Sequence, residues 1–371
     1  MNDKLVTVAI RTYQKALILK NLLENEGLET CLHNVNLFQP GVSSGVRVRI
    51  KESDLPRALE LIENSELRKE ESEPEIQAMR TPEILIPIDF SEYSVQACAL
   101  GFDFAKEIEA KVVILHAFFT PFFPSSISLG DTFSYQTANE DESVVLQSKA
   151  EKELNKFSTF IKEKIEKGEW PEVPYSVVLR NGLPEEEIVG YSKAHKPNLI
   201  IMGTRGKNQK DIDLIGSVTA EVLDSVKAPL FAIPEKTPFS RFSEIKRIAF
   251  GTSFEQKDLI AIDTLFNMFQ SYSIEYYLFH VTQKQNDAWN EIKLAGIREY
   301  FAKQYPCLSI HYTLIDGNDF VLNLEKFIRD QQIDVISLCT YKRNIFARLF
   351  NPSMARKMIF HTDTPLLALH S

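Results

Sequence analysis

The sequence predicts two tandem α/β domains, each a doubly wound, Rossmann-like parallel sheet, preceded by a small α+β domain. Apolar runs of strand length alternate with segments of helix length, which is typical of parallel sheets covered by helices on both faces. This pattern occurs twice after residue 81, and a shorter block with a different pattern precedes it. We expect domains at residues 1–65, 81–236 and 240–371. Residues 66–80 are acidic and poor in large apolar side chains, as a solvated linker would be.

The first block reads as a βαββα unit, which suits a small, ferredoxin-like open sheet with its helices on one face. Its first strand alternates apolar and polar residues, and its first helix has a helical apolar period that closes before Gly27. Its third strand is apolar on one face and basic on the other. The elements are expected at Leu5–Ile10, Tyr13–Asn25, Glu29–Val35, Val46–Ile50 and from Ser53 onward.

The two later blocks are copies of one another, which indicates an internal repeat. Helix-length segments such as Ser91–Glu107 separate the strands, and both copies place five strands in the same order. Such an arrangement gives a parallel, doubly wound sheet in each copy. The paired strands are Glu83–Ile88 with Lys246–Gly251, Val112–His116 with Tyr276–His280, Tyr175–Leu179 with Ile310–Ile315, Leu199–Gly203 with Val335–Cys339, and Pro229–Ile233 with Pro365–Leu369.

Composition and charge exclude several classes of protein. A formal net charge of −9 without a basic stripe argues against a nucleic-acid-binding surface. No apolar run reaches the length of about 18 residues that a membrane span needs, and the N-terminus lacks a signal-peptide pattern, so we expect a cytoplasmic protein. The four cysteines lie among apolar neighbours without a paired spacing, which predicts buried free thiols.

One glycine pattern predicts an anion site. The buried strand that ends at Met202 is followed by Gly203-Thr-Arg-Gly206 and, after nine intervening residues, by Gly216-Ser217. Glycines after a strand let the backbone approach a ligand closely, and a Gly-Ser pair that opens a helix aims free N–H groups at an anion. The spacing is not that of a Walker A loop. We therefore expect a nucleotide whose phosphates are held from two sides.

These residues resemble the universal stress protein family over about residues 81–371. The family's ATP-binding subgroup carries G-x2-G-x9-G-[ST] after its fourth strand, which the glycine pattern matches without a gap. Residues Pro87-Ile88-Asp89 resemble the family's first strand end, where an Asp contacts the nucleoside, and Leu115-His116-Ala117 resembles the second, where a main-chain group recognises adenine. The resemblance implies ATP with Mg²⁺ as ligand and no metal site built by side chains alone. It implies these binding residues: Pro87, Ile88, Asp89, Ala117, Met202, Gly203, Arg205, Gly206, Gly216, Ser217, Val218 and Thr219.

The second copy departs from the family pattern at its functional positions. Thr252 is expected to align with Asp89, and Cys339 replaces the first glycine of the motif. Asn351-Pro-Ser-Met354 replaces Gly-Ser-Val-Thr, and Pro352 removes a donor from the helix start. We therefore expect one ATP per chain, bound in the first copy.

Each of these residues also has a structural interpretation. Gly203 and Gly216 could serve only to make a turn and to pack a helix. Asp89 could cap the helix that follows, with or without a nucleotide contact. His116 is expected to serve packing or hydrogen bonding, since the second copy retains a histidine there. Arg205 could contact phosphate or lie in solvent.

Two further features concern partners. Residues 121–144 form a longer connection than usual, rich in aromatic residues, and could be a lid, a partner-docking segment or a loose insertion. Family dimers pair through their last strand, so the resemblance implies that the two copies form an intrachain pseudo-dimer about a local two-fold axis. The N-terminal block is similar, more loosely, to a small prokaryotic signal-transducing module, which implies a partner-binding or sensory surface.

The expected function is that of an ATP-binding stress-response or regulatory protein in signal transduction, without catalytic residues and with at most slow ATP hydrolysis. Two alternatives stay open. One is a nucleotide-free interaction scaffold, and the other is an enzyme of the adenine-nucleotide α-hydrolase type. An unidentified protein partner and further homo-oligomerisation are compatible with each.

Overall fold

The computed structural model describes most of the chain. The described residues are 5–11, 13–33, 46–58, 61–62, 81–119, 132–204, 216–234, 237–252, 256–282, 288–317, 320–340 and 364–370. The linker expected at 66–80 lies outside them. Across the described part of the chain, no helix combines the length and apolarity that a membrane crossing requires.

The N-terminal block forms a three-stranded antiparallel sheet in the order β1-β3-β2. Its apolar face packs against the first helix, which contributes Ala16 and Leu23 to the small core. Strand β3 alternates buried valines and isoleucine with half-buried Arg47 and Arg49, as its sequence predicts. The elements are β1 (Leu5–Arg11), α1 (Tyr13–Asn25), β2 (Thr30–His33) and β3 (Val46–Lys51), followed by a 3-10 turn (Glu52–Asp54).

The rest of the described chain is built on one ten-stranded sheet. The first repeat contains β4 (Glu83–Ile88), α2 (Glu92–Glu107), β5 (Lys111–Phe118), α3 (Thr132–Glu166), β6 (Tyr175–Asn181), α4 (Pro184–His195), β7 (Leu199–Gly203), α5 (Ser217–Ser225) and β8 (Leu230–Ile233). The second contains β9 (Arg247–Gly251), α6 (Gln256–Met268), β10 (Glu275–Thr282), α7 (Ala288–Gln304), β11 (Ser309–Asp316), α8 (Phe320–Asp330), β12 (Val335–Thr340) and β13 (Leu366–His370).

Within each repeat the strands are parallel, in the orders β6-β5-β4-β7-β8 and β11-β10-β9-β12-β13. Helices cover both faces of the sheet: α2, α3, α6 and α7 line one core, and α4, α5 and α8 line the other. Strand β4 is buried at every position, because a central parallel strand is covered on both sides. The predicted doubly wound α/β fold is confirmed.

The two repeats join through antiparallel pairing of their last strands. Phe231 lies opposite Leu367, Ala232 opposite Leu366 and Leu230 opposite Ala368. Because Phe231 and Leu367 are equivalent positions of the two repeats, this register is self-complementary about that pair, as a local two-fold axis requires. The predicted intrachain pairing is confirmed, and the apolar edge of each half is covered by the other.

The connection between the repeats is itself part of the core. Phe239 is 3% exposed and Phe242 is 1% exposed. The Phe242 ring stacks on Phe104 of α2 at 4.5 Å and approaches Phe269, just after α6, at 6.0 Å. The Phe242 N–H donates to Asp103 Oδ2 at 2.8 Å. One connecting residue thus contacts helices of both repeats.

The strand register corrects one alignment made from sequence. Glu83 pairs with Lys111 in the first repeat, and Arg247 pairs with Glu275 at the equivalent place in the second. The first strand of the second repeat is therefore shifted by one residue from the expected alignment. Thr252 corresponds to Ile88, and the counterpart of Asp89 is Ser253, which lies outside the described residues. Apolar runs alone could not define the register because both alignments keep the strand apolar.

Two smaller expectations also need correction. Cys98 and Cys339 are buried as predicted, but Cys31 and Cys307 are exposed, so apolar neighbours in sequence did not imply burial at those two positions. The long connection expected at 121–144 is helical from Thr132 onward. Residues 121–131 lie outside the described residues.

Candidate functional site

The candidate site lies at the carboxyl ends of β4 and β7. From β4 the chain continues to β5 on one side, whereas β7 and β8 lie on the other. The strand order therefore reverses between β4 and β7, and ligands of open α/β sheets bind in the crevice at such a switch point. Asp89 follows β4 directly and Gly203 ends β7, so the structure brings these two predicted site residues to the same crevice.

The hydrogen-bonded ladder between β4 and β7 stops before either strand ends. Their pairing comprises Ile84 with Leu199 and Leu85 with Ile200, although β4 continues to Ile88 and β7 to Gly203. On its other side β4 stays paired with β5 as far as Ile88. The ladder is therefore interrupted only on the side of β4 that faces the switch point.

Pro87 gives a physical reason for the early end of this ladder. Glu83 accepts a hydrogen bond from the Asn198 N–H, whereas Pro82 accepts one from Lys111. Odd-numbered residues of β4 thus direct their backbone groups toward β7 and even-numbered ones toward β5, because these groups alternate along a strand. Pro87 belongs to the set that faces β7 and has no N–H to donate there.

Asp89 is held in a tight turn by two serines. Its Oδ1 accepts hydrogen bonds from the Ser91 N–H at 3.1 Å and the Ser94 hydroxyl at 2.7 Å, and the Ser94 hydroxyl accepts from the Asp89 N–H at 3.0 Å. Ser91 is the N-cap of α2 and accepts from the Ser94 N–H. Between them Phe90 has a φ of 62°, in the left-handed region that non-glycine residues seldom adopt. The capping interpretation is thus correct in part: Ser91 is the cap, and Asp89 supports it.

A backbone hydrogen bond joins the two ends of the glycine segment, residues 203–216. The Gly216 N–H donates to Thr204 O at 2.8 Å, and the Thr204 N–H donates to Ile233 O at 2.8 Å. The start of α5 therefore lies beside the end of β7, whatever path residues 205–215 take. Gly216 has a φ of −57°, so its backbone conformation does not require glycine. The absence of a side chain beside the helix start is the property that a close ligand would use.

Helix α5 begins at Ser217, which with Val218 and Thr219 belongs to the first turn. The N–H groups of a first helical turn have no partner within the helix and form a ready anion site. Ser217 and Val218 are partly exposed, whereas Thr219 is 3% exposed and its hydroxyl donates to Gly203 O at 2.8 Å. The Thr219 hydroxyl therefore links α5 to β7. Because its proton is used in this bond, the hydroxyl oxygen could only accept a hydrogen bond from a ligand.

His116 has a structural role, as the sequence analysis expected. Its Nδ1 lies 2.9 Å from Ile88 O, and its ring packs on Phe90 with centroids 4.4 Å apart. In the second repeat His280 Nδ1 lies 2.8 Å from Thr252 O, which is the equivalent contact. Both histidines support the strand end that precedes the turn.

The remaining predicted site residues divide into two groups. Pro87, Ile88 and Met202 are buried at the ends of the central strands, and Ala117 is partly exposed near the end of β5. Arg205 and Gly206 lie outside the described residues. Within the described part of the chain, no group of three or more His, Cys, Asp or Glu side chains could hold a metal ion.

The corresponding strand ends in the second repeat are more fully paired. Strands β9 and β12 pair over four residues, up to Gly251 with Leu338. Gly251 occupies the position of Pro87, and a Cβ there would meet Leu338 Cδ2 at 2.8 Å and Phe279 Cζ at 2.9 Å. Cys339, at the position of Gly203, is 2% exposed. In the described part of the second repeat, side chains therefore pack tightly at these strand ends.

The polar pair beside these strand ends is inverted. In the first repeat the strand end supplies the carboxylate, Asp89, and the helix supplies the hydroxyl, Ser94. In the second repeat Thr252 at the strand end donates to Asp258 Oδ2 of α6 at 2.9 Å. The sequence had indicated a helix start near Ser91 with Asp or Ser as its cap, but the roles of Ser94 and Asp258 were not predicted, although the Asp-x-Ser-x-x-Ser spacing of residues 89–94 was a sufficient signal for a capped turn.

Comparison with known proteins gives a consistent assignment. A family model described as the universal stress protein family matches residues 81–234. Universal stress protein MJ0577 of Methanocaldococcus jannaschii is 34% identical over 161 residues, covering 41% of this chain and 94% of that protein. MJ0531 of the same organism is 29% identical over 151 residues, covering 40% of this chain and 80% of that protein.

Two solved structures share the fold over a larger part of the chain. A universal stress protein from Archaeoglobus fulgidus has a TM-score of 0.54 at 16% identity and covers 79% of this chain and 99% of its own. One from Pseudomonas aeruginosa has a TM-score of 0.51 at 12% identity and covers 78% of this chain and 93% of its own. Both shares exceed the length of a single repeat. The chain thus belongs to the universal stress protein family.

Proposed function

We propose that this protein binds one ATP per chain, with Mg²⁺, in the crevice of the first repeat, and that it acts as a nucleotide-binding regulatory protein in a stress response. The observation that carries the proposal is the difference between the two switch points. In the first repeat the ladder between β4 and β7 stops at Leu85 with Ile200 and the start of α5 lies beside the end of β7, whereas in the second β9 and β12 stay paired up to Gly251. This supports a single site.

The residues that would hold the nucleotide follow from this geometry. The first-turn N–H groups of Ser217, Val218 and Thr219 would bind phosphate oxygens, with Mg²⁺ neutralising the phosphate charge. Asp89, fixed by its two serines, would accept from the nucleoside, and a backbone group near Ala117 would contact the base. Arg205 and Gly206 complete the motif in sequence.

We infer that the bound nucleotide is a signal or a structural ligand rather than a substrate. His116 holds a strand end, and Asp89 accepts from the backbone and side chains of its own turn. These two groups are engaged in supporting structure, which favours binding over proton transfer. Any hydrolysis of ATP should be slow, and the protein partner that reads the bound state is unidentified.

Isothermal titration with Mg·ATP tests the proposal. Saturable binding near one site per chain is expected, with loss of binding in a Gly203→Val/Gly216→Val variant that stays folded. Gly190→Val is the matched control, since a Cβ at that exposed helical position meets nothing within 4 Å. Binding at two sites per chain would show that the second repeat also binds ATP. No binding at millimolar ATP would favour the nucleotide-free scaffold, and rapid AMP release would favour the adenine-nucleotide α-hydrolase class.

A further inference from the structure

The large sheet ends at β11, and one long side of this strand is open. Among the strands that the structure describes, β11 pairs with β10 and has no neighbour on its other side. Sheet edges of this kind are templates for another strand, and proteins usually blunt them with lysine, proline or a bulge. The β10–β11 ladder shows no shift in register, and residues 309–316 include no lysine, arginine, proline or glycine. This edge therefore keeps the form of a template.

The strand register shows which backbone groups of β11 face the opening. The Gly317 N–H donates to Thr282 O at 2.7 Å on the β10 side, and backbone groups alternate between the two sides of a strand. Odd-numbered residues of β11 therefore bond to β10. The N–H and C=O groups that point outward belong to Ile310, Tyr312 and Leu314. The next outward carbonyl, that of Asp316, accepts from the Asn323 amide of α8 at 3.0 Å, which closes the edge at that end.

A groove of about 590 Å³ runs along this edge. Arg298 and Phe301 of α7 line it on one face of the sheet, and Tyr277 of β10 with Gln331, just after α8, lines it on the other. A residue in a sheet occupies about 160 Å³, given a rise of about 3.3 Å, a strand spacing of about 4.8 Å and a layer thickness of about 10 Å. The groove therefore has room for about four residues of an added strand, close to the length of the stretch 310–314.

The wall that α7 forms is positively charged. Arg298 is exposed and lies over the Tyr312 ring, with its Cζ 5.2 Å from the ring centroid. Among the described residues Arg298 forms no ion pair, whereas Glu299 and Lys303 of the same helix pair with each other at 2.7 Å. A strand added beside Tyr312 would thus place a side chain next to an available guanidinium, and a carboxylate is the group that fits it.

The opposite wall is aromatic. His311 stacks on Tyr277 with ring centroids 4.6 Å apart. The carboxylate nearest to them, Glu275, already accepts from the Tyr277 hydroxyl at 3.2 Å and from Arg247 Nε at 3.4 Å. Apolar side chains of an added strand fit this wall, because successive side chains of a strand point to opposite faces.

We propose that the β11 edge binds an extended segment of a partner protein, which adds a strand to the sheet and pairs an acidic side chain with Arg298. In such strand addition, main-chain hydrogen bonds supply affinity and alternate side chains supply specificity. A second copy of this chain fits less well, because antiparallel pairing at Tyr312 would bring its own Arg298 to the same face, where like charges repel. The proposal does not depend on nucleotide binding and assigns the second repeat a binding role of its own.

Selection from a phage-displayed library of random peptides, each as long as β11 at 8 residues, tests the proposal on the full-length protein. Enriched sequences should contain an acidic residue among alternating apolar ones, and the synthetic peptides should bind saturably in fluorescence anisotropy. The three outward amides should exchange hydrogen about tenfold more slowly when peptide is present at about ten times its dissociation constant.

Leu314→Pro removes one outward N–H and spares the ladder with β10, since proline is tolerated where a strand's N–H faces solvent. This variant should weaken peptide binding about three- to tenfold, as loss of one hydrogen bond does. Leu179→Pro is the matched control on β6, the opposite edge of the sheet. Leu179 pairs with His116 as Leu314 pairs with His280, and its replacement should leave peptide affinity unchanged.

Arg298→Glu supplies a second route if Leu314→Pro fails to fold. It should weaken binding of the acidic peptides about two- to fivefold, as loss of an exposed ion pair does. Lys162→Glu, at an exposed position of α3 in the first repeat, is the control for the change of charge and should have no effect on peptide affinity.

Three results would overturn the proposal. The first is absence of enriched peptides, and the second is enriched peptides that bind folded Leu314→Pro or Arg298→Glu as tightly as wild type. The third is a wild-type dimer in analytical ultracentrifugation that Leu314→Pro converts to monomer, since a second copy would then occupy the edge. Mg·ATP titration is a separate measurement, so failure of nucleotide binding would leave the peptide result unaffected.

Discussion

Replacing Pro87 by valine should partly close the crevice of the first repeat. The change restores an N–H on the side of β4 that faces β7, beyond the point where the ladder between the two strands stops. One additional ladder hydrogen bond is worth about 1 kcal/mol, and loss of the proline raises the entropy of the unfolded chain by a comparable amount of about 0.4–1 kcal/mol. Stability should therefore change little.

The effect on nucleotide binding should be much larger than the effect on stability. Extending the ladder draws the end of β7, with Gly203, toward β4 and narrows the space between Asp89 and the start of α5. We expect Mg·ATP affinity to fall at least about tenfold, or about 1.4 kcal/mol. Titration calorimetry gives the affinity, and urea denaturation gives the free energy of unfolding.

Pro82→Val is the matched control, because Pro82 precedes β4 at the amino end of the sheet, far from the crevice. It should leave ATP affinity at the wild-type value. The amide introduced at position 87 should also become slow in hydrogen exchange as it joins the ladder. A protected amide at position 87 together with unchanged affinity would refute the argument that interruption of the β4–β7 ladder creates the site.

Three further predictions concern stability. Phe242→Ala should destabilise the protein by about 3–5 kcal/mol in urea denaturation, because a buried ring shared by both repeats is lost, whereas Leu322→Ala, at 66% exposure, should cost less than about 0.5 kcal/mol. Burial lowers the pKa of His370 to about 4. As the pH falls, the imidazole is therefore protonated in the unfolded chain before it is protonated in the folded protein. Thermal melts should show stability falling as pH drops from 6.5 toward 4, and His370→Gln should flatten that slope. Ser91→Ala should cost about 1 kcal/mol through the lost cap and also weaken ATP binding, since Asp89 loses a donor; unchanged affinity would show that the turn does not depend on the cap.

The fold could be predicted from the sequence because each strand is a short apolar run bounded by polar residues. Buried parallel strands such as β4 and β7 read directly as such runs. The pairing of β8 with β13 was predicted from the resemblance to family dimers, and the apolar edges of the two strands indicated only that each needs cover. Alignment of β4 with β9 was wrong by one residue, because hydrophobicity does not define which backbone groups bond to which neighbour.

The candidate site was harder to derive in full. The spacing of the glycines was enough to identify Gly203 and Gly216, because a motif of this kind can be recognised from local sequence alone. The role of Pro87 was recognised only as part of a family match, because its consequence depends on which neighbouring strand its missing N–H faces. The contact between β1 and α5 was not predicted at all. Acidic residues on a short helix normally indicate a solvated face, whereas Glu221 and Asp224 of α5 are buried.

Pairing of β8 with β13 has a consequence for assembly. Two separate subunits that met through such strands would dissociate on dilution, and their partnership would depend on expression level. Here the connecting segment, anchored by Phe242, keeps the second half at an effective concentration that dilution cannot change. Every molecule therefore contains one repeat with the glycine motif and one repeat without it. This asymmetry cannot be lost by exchange of subunits, because both repeats belong to the same chain.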